Sequence, residues 1–455
     1  MPSTKPPSGT RDYLPETVAK RRYVVAKIEN VFQRYGFLPL ETPAIENLTT
    51  LLGKYGEEGD QLLFRLLHRG DKLTRALEKQ APEAEDLAEL GLRYDLTVPL
   101  ARVVAQYGNS LPRMFKRYQI QPVWRADRPA KGRFREFYQC DVDLTGTTSL
   151  LAEAEVMNAV SSALLELGFS NFSIALNHRV ILRSMIGAAG IDPDLEGSAL
   201  IAIDKLDKIG VDGVRSELTQ RGIAEESAQR LLAMTTSAPE MSNHAVLEAL
   251  REQLLQPEAQ QALKDLETLM SLTKEAPAGS HIRLTPALAR GLSYYTGPIF
   301  EVVSTDFSGS LGGGGRYDNL VGMFSNKQVP AVGFSLGLER ILLLMEERNM
   351  FPALQLTAQV MVCVLPDTPL PPAVGLASRL RQAGITVEVY PEQSKLKRQL
   401  SAADTQQIPY ALILGPDEVE RRRYTLKDLA TGQQQALGED ALIAALRPKT
   451  PPPTA

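Results

Sequence analysis

The sequence predicts a mixed α/β protein of several domains. Three observations lead there. Short apolar runs mix with helical stretches before residue 180, the composition from about 180 to 275 is that of helices alone, and strands and helices take turns after a Pro/Leu-rich stretch at 352–357. A chain of 455 residues with 44% apolar side chains has enough material for two to four domains with ample cores.

Taken in order, Val24, Ile28, Val31, Phe32 and Tyr35 recur at helical spacing and stop at Gly36, which predicts an amphipathic helix leading into an extended segment from Phe37 to Pro43. Ser149 to Leu167, rich in Ala, Glu and Leu, predicts a helix backing a sheet. From Val180 to Glu275 β-branched runs vanish, and segments such as Ser242–Leu255 predict a helical insertion spanning 180–275. Strand patterns return at His281 to Thr285 and Pro298 to Ser304, so 1–179 and 276–351 are expected to form one domain. Beyond the linker, strands at Val360–Leu365, Ile385–Tyr390 and Tyr410–Leu414 alternate with helices at 373–383 and 394–404, predicting a small α/β domain over 358–447 with a largely parallel core. Three consecutive prolines mark 448–455 as a disordered tail. No repeat of fixed period is present.

Composition narrows the function. The net charge of −4 argues against a protein that coats nucleic acid through a global positive field, while leaving room for a local basic face. Lys116, Arg117, Arg125, Arg128, Lys131, Arg133 and Arg135 are dense enough to handle phosphates, and Lys395, Lys397, Arg398 and Arg421 to Arg423 form a second basic group. Cys140 and Cys363 lie far apart and only four histidines are present, so neither a disulfide framework nor a zinc cluster is expected. No apolar run is long enough to span a bilayer and the first residues lack a signal segment, so the chain is expected to be cytoplasmic, with no membrane partner. The run Gly312–Gly315 lacks the lysine and hydroxyl residue of a phosphate loop. Most such runs are tight turns.

Three segments stand out for chemistry: Leu92-Arg-Tyr-Asp-Leu-Thr-Val-Pro99, Val123-Trp-Arg-Ala-Asp-Arg-Pro-Ala-Lys-Gly-Arg-Phe-Arg-Glu-Phe-Tyr-Gln-Cys-Asp-Val-Asp143, and Arg290-Gly-Leu-Ser-Tyr-Tyr-Thr-Gly297. A fourth, Ala331-Val-Gly-Phe-Ser-Leu-Gly-Leu-Glu-Arg340, follows them in order. Arginines fixed among structural residues suit a reaction in which two anions must approach, because the guanidinium fork binds phosphate oxygens bidentately and keeps its charge. Taken one at a time, Asp95 could be a turn residue and Tyr294 with Tyr295 a pair on opposite faces of a strand.

Together these motifs resemble the signature of the histidyl-tRNA synthetases over nearly the whole chain. The resemblance implies a class II antiparallel-sheet catalytic domain, a helical insertion and a small α/β anticodon-binding domain. It implies a homodimer, with the helix-then-strand ending at Pro43 building the interface, and substrates ATP, L-histidine and tRNA(His). By the same resemblance Arg125 and Arg290 are catalytic, and Arg125, Asp127, Arg133, Phe137 and Arg340 bind ATP. Asp95, Leu96, Thr97, Gln139, Asp143, Tyr294 and Tyr295, together with Arg125 and Arg290, bind histidine. Magnesium is inferred from ATP chemistry, with no protein ligand assignable. Ser293 departs from the family, where aspartate is usual. A site that hydrogen-bonds a polar side chain rejects analogues lacking it by roughly 10⁴ to 10⁵, so the insertion is read as a clamp for tRNA rather than an editing site. Two rivals remain. One is a synthetase-like regulatory subunit of ATP phosphoribosyltransferase, which lacks the anticodon module, and the other is a tRNA-binding module with a degenerate site.

Overall fold

A computed structural model of the chain describes residues 3–236, 241–289, 294–304, 307–354 and 356–447. Arg290 and Ser293, like the 448–455 tail, lie outside the described residues. The chain divides at Phe351/Pro352 into two compact units, with the short segment Pro15–Ala19 grouping with the second.

The first unit is built on a sheet that has, among the described residues, eight strands. In spatial order they are Leu38–Pro39, Phe115–Trp124, Glu136–Thr145, Ala331–Gly337, Phe307–Arg316, Pro298–Ser304, Ser173–His178 and Ile282–Leu284. The interior pairings are antiparallel, and only the two edge strands pair in parallel. The helix Pro15–Arg34 buries the predicted Val24, Ile28, Val31 and Phe32 stripe. Gly36 then turns the chain at φ 76°, a left-handed conformation that costs glycine little. The edge strand that follows contains Pro39, tolerated there because an edge has N–H positions with no ladder partner to lose. The helix Leu151–Glu166 is buried along most of its length and lies against the sheet with the same core. Between Ser173–His178 and Ile282–Leu284 the described residues fold into six α-helices, from Arg179–Ala188 to Pro257–Thr273. Ser242 caps Asn243–Gln253 by accepting a hydrogen bond from Ala245 N at 3.2 Å.

Gly312–Gly315 is not a turn. It lies in the second half of the central strand Phe307–Arg316, in register with Ala331–Gly337 on one side and Pro298–Ser304 on the other. The reason is space. A Cβ on Gly312 would stand 2.4 Å from the Ser335 carbonyl oxygen, and one on Gly314 only 1.9 Å from that of Gly333.

The second unit is a sheet in the order Val387–Val389, Val360–Val364, Tyr410–Leu414, Tyr424–Asp428, Gln434–Leu437. The first three strands are parallel as the alternation predicts. The last two are an antiparallel extension that hydrophobic pattern alone did not announce, since Gln434–Leu437 is largely exposed. Its turn is legible in chemistry. Asp428 Oδ1 accepts from the backbone of Ala430 and Thr431 at 3.0 and 2.9 Å, and Gly432 takes φ 75°.

The central strand is tied to the helix behind the sheet by one buried ion pair. Arg316 Nε and Nη2 meet Glu153 Oε1 and Oε2 at 2.5 and 2.8 Å, and Glu153 is fully buried. Removing one partner strands a desolvated charge. Glu153→Ala is expected to destabilise the first unit by about 3–5 kcal/mol. Urea unfolding followed by tryptophan fluorescence checks this, with a loss below about 1 kcal/mol counting against the pair's role.

Candidate active site

Side chains alternate along a strand, so Gln139, Asp141 and Asp143 point to one face of Glu136–Thr145. Register sets their neighbours. Asp143 lies opposite Arg117 on one side and Gly333 on the other, Asp141 opposite Gln119 and Ser335, and Gln139 opposite Gln121 and Gly337. Glycines at 333 and 337, with Gly313 beyond, remove side chains from this face and leave a cavity of about 500 Å³.

Arg117 is fully buried beside this row. Its Nη2 lies 2.8 Å from Asp143 Oδ2 and 3.7 Å from Asp141 Oδ2, and donates to the Leu96 carbonyl at 3.1 Å. The Tyr317 hydroxyl donates to Asp143 Oδ1. Burial pushes the Asp143 carboxyl up against the opposing pull of Arg117. Asp141 is pushed up to about 7, first by burial, with the neighbouring Asp143 charge adding to it. Asp95, at the start of the helix Thr97–Tyr107, accepts from Val98 N at 3.0 Å and from the Tyr55 hydroxyl at 3.1 Å, with the Tyr294 hydroxyl at 3.5 Å. Burial raises its pKa too. Tyr294 and Tyr295 meet edge to face at 4.9 Å, and Tyr294 also meets Tyr317 edge to face at 6.0 Å.

Cations share the cavity with these acids. Arg125 donates from Nε to the Tyr94 carbonyl at 3.0 Å, and its guanidinium lies 4.2 Å from the Tyr94 ring centroid and 5.2 Å from that of Phe137. Arg133 Nη2 pairs with Asp127 Oδ1 at 2.7 Å. Arg340 follows Glu339 in the helix Leu338–Glu347 and donates to the Ser310 carbonyl. Glu339 is gripped by Arg21 at 2.8 and 2.9 Å and by Arg11, which fixes the start of that helix.

The cavity thus gathers Asp95, Thr97, Arg125, Asp127, Arg133, Phe137, Gln139, Asp143, Tyr294, Tyr295 and Arg340. Leu96 is not among its lining residues. It is completely buried, and its backbone carbonyl serves Arg117 instead. The basic cluster does not form one phosphate face. Arg117 is internal, Lys116 pairs with Glu155 at 2.7 Å, and Lys131 pairs with Glu347 at 2.8 Å. Residues that sequence reasoning missed as pocket lining include Tyr55, Asp141, Glu301, Tyr317 and Ser335, with Asp204 and Lys208 reaching in from the helical insertion. For Asp141 the signal was present, since a residue two before Asp143 on a strand shares its face. For Lys208 no local signal existed.

Comparison with known proteins gives this arrangement relatives. The family model of histidyl-tRNA synthetases matches residues 9–341, and that of the anticodon binding domain matches 359–449. A histidine–tRNA ligase of Cytophaga hutchinsonii is 42% identical over 449 residues, covering 97% of this chain and 98% of its own. One from Gloeobacter violaceus is 41% identical, with 94% and 95% covered. The crystal structure of a histidyl-tRNA synthetase from a Nostoc species superposes with a TM-score of 0.79 at 31% identity, covering 98% of this chain and 99% of that one. A Bacillus halodurans protein titled an ATP phosphoribosyltransferase regulatory subunit/histidyl-tRNA synthetase shares the fold, with a TM-score of 0.72 at 21% identity over 89% and 96% of the two chains. With a matching catalytic-domain model over most of its length and relatives above 40% identity end to end, the chain belongs to the histidyl-tRNA synthetase family.

Proposed function

We propose that the cavity activates L-histidine with ATP and that the chain, as a histidine–tRNA ligase, then transfers the histidyl group to the terminal ribose of tRNA(His). The observation that carries this reading is one cavity holding both buried carboxylates and several arginines. An amino acid with a basic side chain needs the first, and a triphosphate needs the second.

In the first step a carboxylate oxygen of histidine attacks the α-phosphorus of ATP, the bond to the bridging oxygen breaks, and pyrophosphate leaves. Arg125, braced by the Tyr94 carbonyl and flanked by two rings, neutralises the charge that builds on the α-phosphate. Arg290 is assigned the same task from its motif. Phe137 stacks on adenine, Asp127 and Arg133 border the nucleotide, and Arg340 meets the far end of the triphosphate. Asp95, Thr97 and Gln139 receive the α-ammonium, with Asp143, Tyr294 and Tyr295 around the ring. In the second step a ribose hydroxyl attacks the adenylate carbonyl and AMP leaves.

Magnesium arrives with ATP in this reading. Among the described residues no three His, Cys, Asp or Glu side chains cluster to form a metal site, but Glu301, which lines the cavity opposite Gly313, would supply one carboxylate to the ion. The ion would supply charge neutralisation on the triphosphate. The chain acts as a homodimer in the cytoplasm; for the dimer, the support is the exposed Leu38 on the edge strand of the sheet, the segment whose motif implies the interface. Among the described residues no helix is long and apolar enough to cross a membrane. Against the regulatory-subunit alternative stands the match of residues 359–449 to an anticodon binding domain.

Histidine-dependent ATP–pyrophosphate exchange by the purified chain tests the reading directly, and no exchange would end it. Arg125→Ala is expected to lower single-turnover adenylation by about 10² to 10³ with the fold intact. A fall below about tenfold would remove Arg125 from the catalytic set. A chain ending at Phe351 keeps every proposed pocket residue and a core separate from that of the second unit. It is expected to retain exchange while tRNA charging falls steeply. Undiminished charging would show that the second unit does not read the anticodon.

A further inference from the structure

The loop 125–135 supplies Arg125, Asp127, Arg133 and Phe134 to the cavity, yet its tip is exposed from Arg128 to Lys131. What steadies it comes from the start of the chain. At its base the N–H of Arg135 donates to the Gly9 carbonyl at 2.7 Å, and Arg135 Nη1 reaches the Ser8 carbonyl at 3.3 Å. Gly9 fits closely there. Its φ is 82°, and a Cβ would stand 2.7 Å from Arg135 Cγ.

Two residues on, Arg11 enters between this loop and the helix Leu338–Glu347. Its guanidinium lies 3.9 Å from the Phe134 ring centroid and 4.9 Å from that of Tyr13, and its Nη2 donates to Glu339. Phe134 and Glu339 both line the cavity, whereas Arg11 does not. Glu339 does not depend on Arg11 to stay paired, since Arg21 Nη1 donates to its two oxygens at 2.9 and 2.8 Å. What Arg11 adds is a tie between the loop and the helix that carries Arg340, made through one ring and one buried carboxylate. A second tie, Lys131 to Glu347 at 2.8 Å, is exposed at both ends and correspondingly weak.

Resting on the reading of this cavity as the ATP site, we infer that Arg11 is a positioning residue for the nucleotide. It fixes the spacing between the loop that bears Arg133 and the helix that bears Arg340, so that the groups assigned to ATP are in place before ATP arrives. Ser8 to Tyr13 then act as a strap across the outside of the site. Such preorganisation matters because a small misplacement of binding groups, even from a distance, costs much of the rate.

The test is Arg11→Ala in the full-length chain, read by histidine-dependent pyrophosphate exchange. The KM for ATP is expected to rise about tenfold and kcat to fall by a similar factor, while the KM for histidine stays within about twofold. The melting temperature should hardly move, because the Arg11 side chain is 37% exposed and Glu339 keeps Arg21. Arg11→Lys retains the charge for Glu339 without a planar face for Phe134, so it should recover part of the loss. Gly9→Ala, which leaves Arg11 in place but presses on Arg135, should raise the KM for ATP in the same direction. Trypsin gives a readout without catalysis: cleavage after Lys131 or Arg133 should quicken by about threefold or more in Arg11→Ala, and saturating ATP should slow it again. An unchanged KM for ATP, or a histidine KM that rises in parallel with it, overturns the assignment, as does an unchanged cleavage rate. Absence of exchange in wild type would fall on the proposed function, and the cleavage rates would still decide the role of Arg11.

Discussion

The geometry of the pocket depends on a guanidinium with no access to water. Arg117 is completely enclosed in the sheet, and a charge so placed is tolerated only where oppositely charged groups and hydrogen bonds surround it. Asp143 meets it from the neighbouring strand, Gln119 from its own strand at 3.2 Å, and the Leu96 carbonyl from the loop before the helix Thr97–Tyr107. One side chain therefore fixes three pieces of the site at once: the acidic row, the entry to the helix that carries Thr97, and through Asp143 the hydroxyl of Tyr317. Rigidity here has a purpose. Recognition groups misplaced by an ångström lose much of their effect, and buried networks with two-sided partners resist such displacement.

Against this rigid charged row the sheet sets emptiness. The central strand reads Gly312–Gly315, and its neighbour contributes Gly333 and Gly337, so that the face opposite the acids has backbone where other sheets have side chains. The same residues that permit close strand approach also make room for a ligand. This double duty explains why a four-glycine run can sit in the middle of a sheet despite the entropic cost of glycine in strands. The buried Arg316–Glu153 pair at the end of that strand anchors a segment whose own side chains could not.

Much of this was legible in the sequence, for identifiable reasons. Helices with strong periodicity, such as the stripe from Val24 to Phe32, appeared where expected because amphipathic burial dominates local preference. The pocket residues sat in ordered motifs, so their assembly in one cavity followed from resemblance. Two readings failed because they needed partners distant in sequence. Arg117 looked like part of a phosphate-binding cluster, since its neighbours are basic; only strand register reveals that it faces Asp143 and not solvent. The glycine run looked like a turn because its strand partners, Ser335 and Gly333, are twenty residues away. Asp204 and Lys208 were invisible for the same reason, as nothing local says that an insertion helix lines a cavity formed by a sheet.

The acidic row also links stability to function. A carboxyl whose pKa is raised on folding binds its proton more tightly in the folded state than in the unfolded chain, so folding is favoured at low pH and loses that advantage as pH rises. For Asp141 the window runs from the ordinary carboxylate value of 3.8 up to about 7, and above it the full cost of an ionised, desolvated carboxylate remains in the folded protein. Burial thus opposes the ionisation of Asp95, Asp141 and Asp143, while Arg117 pulls the other way on all three and Arg125 on Asp95. A ligand carrying an ammonium and a ring N–H can pair with such carboxylates where an apolar amino acid cannot, because the latter would seal them from water without pairing them. In the proposed reading of the site, selectivity for a basic, hydrogen-bonding side chain rests on the same burial that raises these carboxyls.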